Sequence, residues 1–201
     1  MKVLVQNLHK RSGLATQLVQ DHQPDVLLAQ EINLFSELVN VACNTSRLGY
    51  GTALYASHGT WTNIRQVQSP HAEMGGIVRK KTIIAHWSGV DWVSFHGYNG
   101  QPQKNIAKLL DHVRLVLEAV QDSPHVVWAG DWNTWSAEHW DAVRSMLANH
   151  GFQWAGSWPY PGRPVPLDHV FLKGSLRVVH CQPFASESDH LGAILEMERI
   201  E

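Results

Sequence analysis

The run His125-Val-Val-Trp-Ala-Gly-Asp-Trp-Asn133 constrains this chain more than any other stretch. Val126 to Trp128 reads as a buried strand, and the chain then turns through Gly130 to present Asp131 and Asn133 two residues apart. A carboxylate beside a carboxamide can polarise a water while binding an oxyanion. A strand ending in an Asp/Asn turn is common, so the pair gains meaning only if it recurs. It does. Asn7 follows Val3–Val5, Glu31 follows Val26–Ala29, and His96 follows Trp92–Phe95. Asp168 precedes Val170–Leu172, and Asp189-His190 precedes Gly192–Leu195. When neighbouring strands run antiparallel, the start of one shares an edge with the end of the next. All these polar groups can therefore line one rim, the place where α/β enzymes carry their chemistry.

The remaining pattern sets the frame for that rim. Residues 2–6 read as a strand, Ser12 as the cap of a helix that Pro24 stops, and 25–29 as a second strand, giving a β-α-β opening. A weaker helix is expected over 34–43, through Leu34, Leu38, Val41 and Ala42. From 49 to 96 short Gly-bounded segments predict strands at 50–56, 60–67, 75–79, 81–87 and 90–96. The clearest helix is 104–121, with Ile106, Leu109, Leu110, Val113, Val116, Leu117 and Val120 on one face. Ser136 caps another helix, with Trp140, Val143, Met146 and Leu147 inward and Gly151 at its end. A Pro-rich loop over 157–166 leads to strands near 168–172, 176–182 and 192–198. Hairpins in the middle and at the end favour two packed mixed sheets with helices outside, over one doubly wound parallel sheet. No repeat or linker divides the 201 residues, so residues 1–201 are expected to form one domain.

Composition excludes more than it selects. With 44% apolar and 17% charged residues, and no apolar run long enough to cross a bilayer, a globular protein is expected. The amino terminus enters a strand at once and lacks a signal-peptide pattern, which points to the cytoplasm. The two cysteines, Cys43 and Cys181, are expected to be buried thiols rather than a disulfide framework. A formal charge of −2 rules out an overall basic field, though not a local patch. Neither Cys has an adjacent His, and there is no Gly-x-Ser-x-Gly elbow, so a Ser or Cys nucleophile has little support.

Gln6-Asn7, Gln30-Glu31, Ser94-Phe-His96, Gly130-Asp-Trp-Asn133, Leu167-Asp168 and Ser188-Asp-His190 occur in the order and approximate spacing of the endonuclease/exonuclease/phosphatase (DNase I-like) superfamily, which the chain resembles. The resemblance runs from residue 7 to 190 and implies a four-layer α/β sandwich of two mixed, mostly antiparallel sheets flanked by helices. It implies a divalent-metal-dependent phosphoesterase, foremost a phosphodiesterase acting on DNA or RNA. Glu31 would be the main metal carboxylate, with Asn7 nearby and Asp189 contributing directly or through water. All-oxygen ligation suits Mg²⁺ or Mn²⁺. Asp131 would orient or deprotonate the attacking water, and Asn133 would hold that water and a phosphate oxygen. His190 would bind the phosphoryl group, kept cationic by Asp168, while His96 would supply a second imidazole to the phosphate or the leaving oxygen. His169 is a rival to Asp168, because strand alternation points the two to opposite faces; the resemblance favours Asp168 inward and His169 as a structural residue.

Around the rim, Trp158, Tyr160, Trp135 and Arg163 are candidate substrate contacts, and Trp132 reads as core. Lys10 and Arg11 could also meet a phosphate backbone, whereas Arg79-Lys-Lys81 reads as a hairpin turn with solubilising charge. The chain is short for the family and shows no inserted basic helix or Arg-rich loop. Nucleic acid is thus the first expected partner, no membrane is expected, and a phosphate ester of a small molecule or lipid headgroup stays open. A noncatalytic binding module of the same fold is the remaining alternative.

Overall fold

The computed structural model describes residues 1–33, 38–46, 51–100 and 105–200. Two six-stranded sheets pack face to face. The first contains β1 (Lys2–Asn7), β2 (Val26–Gln30), β3 (Val41–Thr45), β4 (Gly51–Ala56), β11 (Leu176–Phe184) and β12 (Gly192–Arg199), in the order β11-β12-β1-β2-β4-β3. The second contains β5 (Thr62–Gln68), β6 (Lys81–Trp87), β7 (Val90–His96), β8 (Val126–Asp131), β9 (Gln153–Trp158) and β10 (Asp168–Lys173), in the order β5-β6-β7-β8-β10-β9. Each sheet has one parallel pair at its centre, β1 with β2 and β7 with β8, and antiparallel pairs outside it. Both parallel pairs are joined by a helix, α1 (Leu14–His22) in the first sheet and α2 (Ile106–Val120) in the second. A parallel pair needs such a crossover, because a tight turn only reverses the chain.

Alternation along the strands divides the apolar residues into three layers of core. Val3, Val5, Val26, Leu28 and Leu195 meet Ile83, Trp92, Val127, Ala129 and Val170 between the sheets. The other faces are covered by helices. Leu4, Leu27 and Ala29 receive Leu14, Ala15 and Leu18 of α1, while Val93, Phe95, Trp128 and Phe171 receive α2 and α3 (Ala137–Ala148). This is the expected four-layer sandwich. No helix among the described residues is long and apolar enough to cross a membrane.

Several local expectations fail for identifiable reasons. Residues 41–43 form part of strand β3, because pairing with β4 outweighs a weak helical periodicity; 34–37 of that expected helix lie outside the described residues. Segment 75–79 is a turn with one bridge, Glu73 to Val78, since Met74, Gly75 and Gly76 take positive φ and fold the chain back. Ser12 does not cap α1; Gly13, at φ 80, occupies the cap position without a side-chain bond. Asn105 caps α2 by accepting from Lys108 N, and Ser136 caps α3 by accepting from His139 N. Residues 153–158 are strand β9, which the Pro-rich texture of the following loop conceals. Cys43 is exposed on β3 at the sheet edge and Cys181 is half-buried, so neither is the fully buried thiol expected.

Candidate active site

The two parallel pairs end on the same edge of the sandwich. Asn7 closes β1 opposite Gln30 of β2, with Glu31 next, and His96 closes β7 opposite Asp131 of β8. Asp168 opens β10 directly across from Asp131. Asp189 and His190 lie just before β12, on the other side of β1. The rim therefore draws its groups from both sheets. Behind it, Gln30 Nε2 donates to Ser94 Oγ at 3.0 Å and Ser94 Oγ donates to Ala29 O at 2.8 Å, fixing the sheets to one another. Gly130 has φ 141, and a Cβ there would lie 2.2 Å from Phe95 O and 2.8 Å from Gln30 Nε2. Only glycine lets the strand turn there without displacing that clamp.

Asp131 is buried and held at both oxygens. Asn7 Nδ2 donates to Oδ2 at 3.2 Å, and the Asn133 backbone N donates to Oδ1 at 3.0 Å. Asn133 adopts φ 54, a left-handed conformation that Asn tolerates. Its side chain donates to Gly97 O and accepts from Trp135 Nε1, at 3.0 and 3.1 Å. Glu31 has φ 50, which is unusual for a Glu, and such backbone strain gathers at functional sites.

His190 and Asp168 form a closed pair, with Nδ1 donating to Oδ2 at 2.8 Å. Its Nε2 faces Asp131 Oδ2 at 3.8 Å, and Tyr160 covers the ring edge-on at 4.7 Å. Burial alone would lower the imidazole pKa, but the Asp168, Asp131 and Asp189 carboxylates push it up to about 10. His190 is a cation at neutral pH. Burial raises Asp131, helped by Asp168 and Glu31 and opposed by His190 and Lys80. Burial also raises Asp168, against the pull of His190. His169 turns away, bonded to Thr134 Oγ1 at 2.7 Å and stacked on Trp140 at 4.4 Å.

His96 differs from the expected second cationic imidazole. It is 2% exposed, with Nε2 3.5 Å from Asp131 Oδ2 and 3.6 Å from Glu31 Oε1. Burial first, and then the Lys80 ammonium, hold it well below the ordinary imidazole range, so it is neutral. The positive charge on that wall is Lys80, whose Nζ donates to His96 Nε2 at 2.5 Å. Residues 79–81 are thus not a uniformly solvated charge run: Arg79 is exposed, but Lys80 is 5% exposed and lines the pocket. The signal was in the alternation. Val78, Lys80 and Thr82 are in phase, and all three are buried. Glu73 and His9 were also missed. Glu73 Oε1 accepts from Asn99 N at 2.5 Å and Gly100 N at 3.3 Å, and His9 Nδ1 lies 3.1 Å from Asp189 Oδ1.

The pocket, about 390 Å³, is lined by Glu31, Glu73, Lys80, His96, Asp131, Asn133, Tyr160, Asp189 and His190, with Lys10 and Trp135 at its walls. Asn7 and Asp168 sit behind that lining. Arg163 lies over the Trp135 ring at 4.8 Å, and Trp135 meets Tyr160 at 6.2 Å. Trp158 stands level with the rim, opposite Asp168, but does not line the pocket. It is 1% exposed within the core between the sheets and donates to Leu191 O, because as the last residue of β9 its side chain points inward. Trp132 is core, as expected.

Among the described residues no group of three or more His, Cys, Asp or Glu is arranged to hold a metal. Asn7 commits its amide to the protein, its oxygen accepting from His9 N. Glu31 and Asp189 flank His9 Nδ1 at 4.0 and 3.1 Å and offer carboxylate oxygens at the open mouth. Two carboxylates on one open position fit a hard, largely hydrated ion better than a closed zinc cage.

Residues 5–190 match the model of the Endonuclease/Exonuclease/phosphatase family. No curated protein matches the chain in sequence. Among solved structures, it is similar to an endonuclease/exonuclease/phosphatase from Beutenbergia cavernae, at 17% identity and TM-score 0.77 over 100% of this chain and 72% of that one. It is similar to the endonuclease domain of TRAS1, a telomere-specific non-LTR retrotransposon, at 16% identity and TM-score 0.67, covering 99% and 98%. It is also similar to a mannosyl-6-phosphatase from Bacteroides thetaiotaomicron, at 14% identity and TM-score 0.68, covering 98% and 99%. These likenesses establish the fold.

Proposed function

The chain belongs to the endonuclease/exonuclease/phosphatase family, and on that premise we propose that it hydrolyses phosphoric esters with a divalent ion, foremost phosphodiester bonds of DNA or RNA. The observation that carries this reading is a buried carboxylate, Asp131, facing an imidazolium, His190, across 3.8 Å in one pocket. Asp131 takes a proton from the attacking water, and Asn133 helps to orient it. The new O–P bond forms in line with the bond to the leaving oxygen, which breaks and takes a proton from solvent, while His190 meets the charge on the phosphoryl oxygens. Glu31 and Asp189 would hold Mg²⁺ or Mn²⁺, which when bound supplies Lewis acidity to a phosphoryl oxygen. Trp135, Tyr160 and Arg163 form an aromatic and cationic margin on which a base can stack.

A second reading, hydrolysis of a small phosphate ester, is favoured by the pocket itself. Its 390 Å³ suits a small ligand, and Glu73 and Met74 wall it on one side. Rates on single-stranded DNA, duplex DNA, RNA, bis-p-nitrophenyl phosphate and a sugar phosphate, with Mg²⁺, Mn²⁺ or EDTA, decide between them. Metal-dependent cleavage of a polynucleotide, reduced about 10²–10⁴-fold in Asp131→Asn, is the expected result. Turnover of the small esters alone would move the assignment to the second reading. Folded protein inert on all five substrates would overturn both.

A further inference from the structure

Lys80 is a buried ammonium whose ion pair with Glu73 is a long one, at 3.9 Å. Its single hydrogen bond among the described residues is to the neutral His96, and Glu73 Oε2 stands 3.9 Å away, beyond hydrogen-bond length. Glu73 is itself occupied by the Asn99 and Gly100 backbone N–H groups. A lysine has three N–H donors, and among the described residues one of those on Lys80 makes a hydrogen bond, while the residue lines the pocket. Burying a cation is costly unless an anion answers it. Among the described residues Glu73 answers this one only from 3.9 Å, whereas an anion entering the pocket can come to hydrogen-bond distance. The same wall is braced rather than loose: one ring nitrogen, His96 Nε2, sits 2.5 Å from Lys80 Nζ and 3.5 Å from Asp131 Oδ2, which gathers the ammonium and the carboxylate at one corner of the pocket.

We propose that Lys80 is a phosphoryl-binding residue, donating to a non-bridging oxygen of the substrate from the side opposite His190, with His96 as its positioning partner. The inference rests on the phosphoesterase reading above and adds a buried ammonium of the pocket lining to the groups that meet the phosphoryl charge. An ammonium and an imidazolium on opposing walls suit a phosphoryl group carrying more than one negative oxygen. No proton leaves Lys80 in this role, and the bonds made and broken are those of hydrolysis already described.

The test uses the full chain and inorganic phosphate as the probe. Phosphate affinity is measured by calorimetry in Mg²⁺ for wild type, Lys80→Met and Lys80→Arg, alongside kcat and KM on bis-p-nitrophenyl phosphate. Lys80→Met keeps the length of the side chain and removes a buried charge, and circular dichroism checks that it folds. The expected result is phosphate affinity at least about tenfold weaker in Lys80→Met, kcat/KM lower by about 10²-fold, and partial recovery in Lys80→Arg. Equal phosphate affinity in wild type and Lys80→Met would overturn the assignment and leave the phosphoesterase reading standing. A wild type that neither binds phosphate nor turns over any ester would overturn both. If Lys80→Met fails to fold, Lys80→Gln and Lys80→Arg give the same comparison.

Discussion

His190 and His96 face one carboxylate from two walls of the same pocket, at 3.8 and 3.5 Å, yet they carry opposite protonation states. His190 has Asp168 on its other nitrogen and is a cation; His96 has an ammonium on the nitrogen that faces Asp131 and is neutral. Both are buried, so burial does not distinguish them. The partner does. Two copies of one residue type become a cation and a neutral ring, one bonded to a carboxylate through Nδ1 and the other to a lysine through Nε2.

The largest expected effect separates the pair by activity. His190→Ala removes a charge from the reacting phosphoryl group and is expected to lower kcat/KM by about 10³-fold, whereas His96→Ala displaces only the neighbour of a charge and costs about tenfold. Equal losses in a steady-state assay would break the comparison. Next, Asp168→Asn takes away the carboxylate that raises His190 most. The imidazole pKa should fall from about 10, so the mutant's deficit should be larger at pH 8 than at pH 6, where the ring can still protonate. A pH–rate profile parallel to wild type would show that the cation does not depend on Asp168. The smallest effect is spectroscopic. In Lys80→Met the His96 pKa should rise, because an adjacent cation is gone, yet stay below the ordinary imidazole value, because burial is the larger cause. Histidine ¹⁵N shifts followed against pH would read it, and an unmoved His96 would deny Lys80 its part in setting the contrast.

These two histidines were not equally legible in the sequence. Asp168 and His190 declared themselves at strand edges; period-two alternation separated Asp168 from His169, and the family resemblance favoured Asp168 as the one facing the site. The sheets, the α2 face and the Asp131 turn were legible for the same reason, since each is a local pattern. Lys80 was hidden by its neighbours. Arg79 and Lys81 make 79–81 look like a solvated turn, and only the register with β6 turns the middle residue inward. Trp158 failed in the opposite direction: the prolines after it suggested a surface loop, while the inward face of β9 decided its burial. Strand β3 could not be foreseen because its stability comes from β4, a pairing that no window of sequence contains.

The arrangement of β12 has a consequence for when chemistry becomes available. The segment that carries Asp189 and His190 enters the first sheet only when β12 docks between β11 and β1, the last strand in chain order taking a place beside the first. A chain emerging from the ribosome can build the whole second sheet, with His96, Asp131 and Asp168, before that strand exists. Until then it has the carboxylates without the imidazolium. Synthesis order thus makes the pocket the last part of the molecule to be completed.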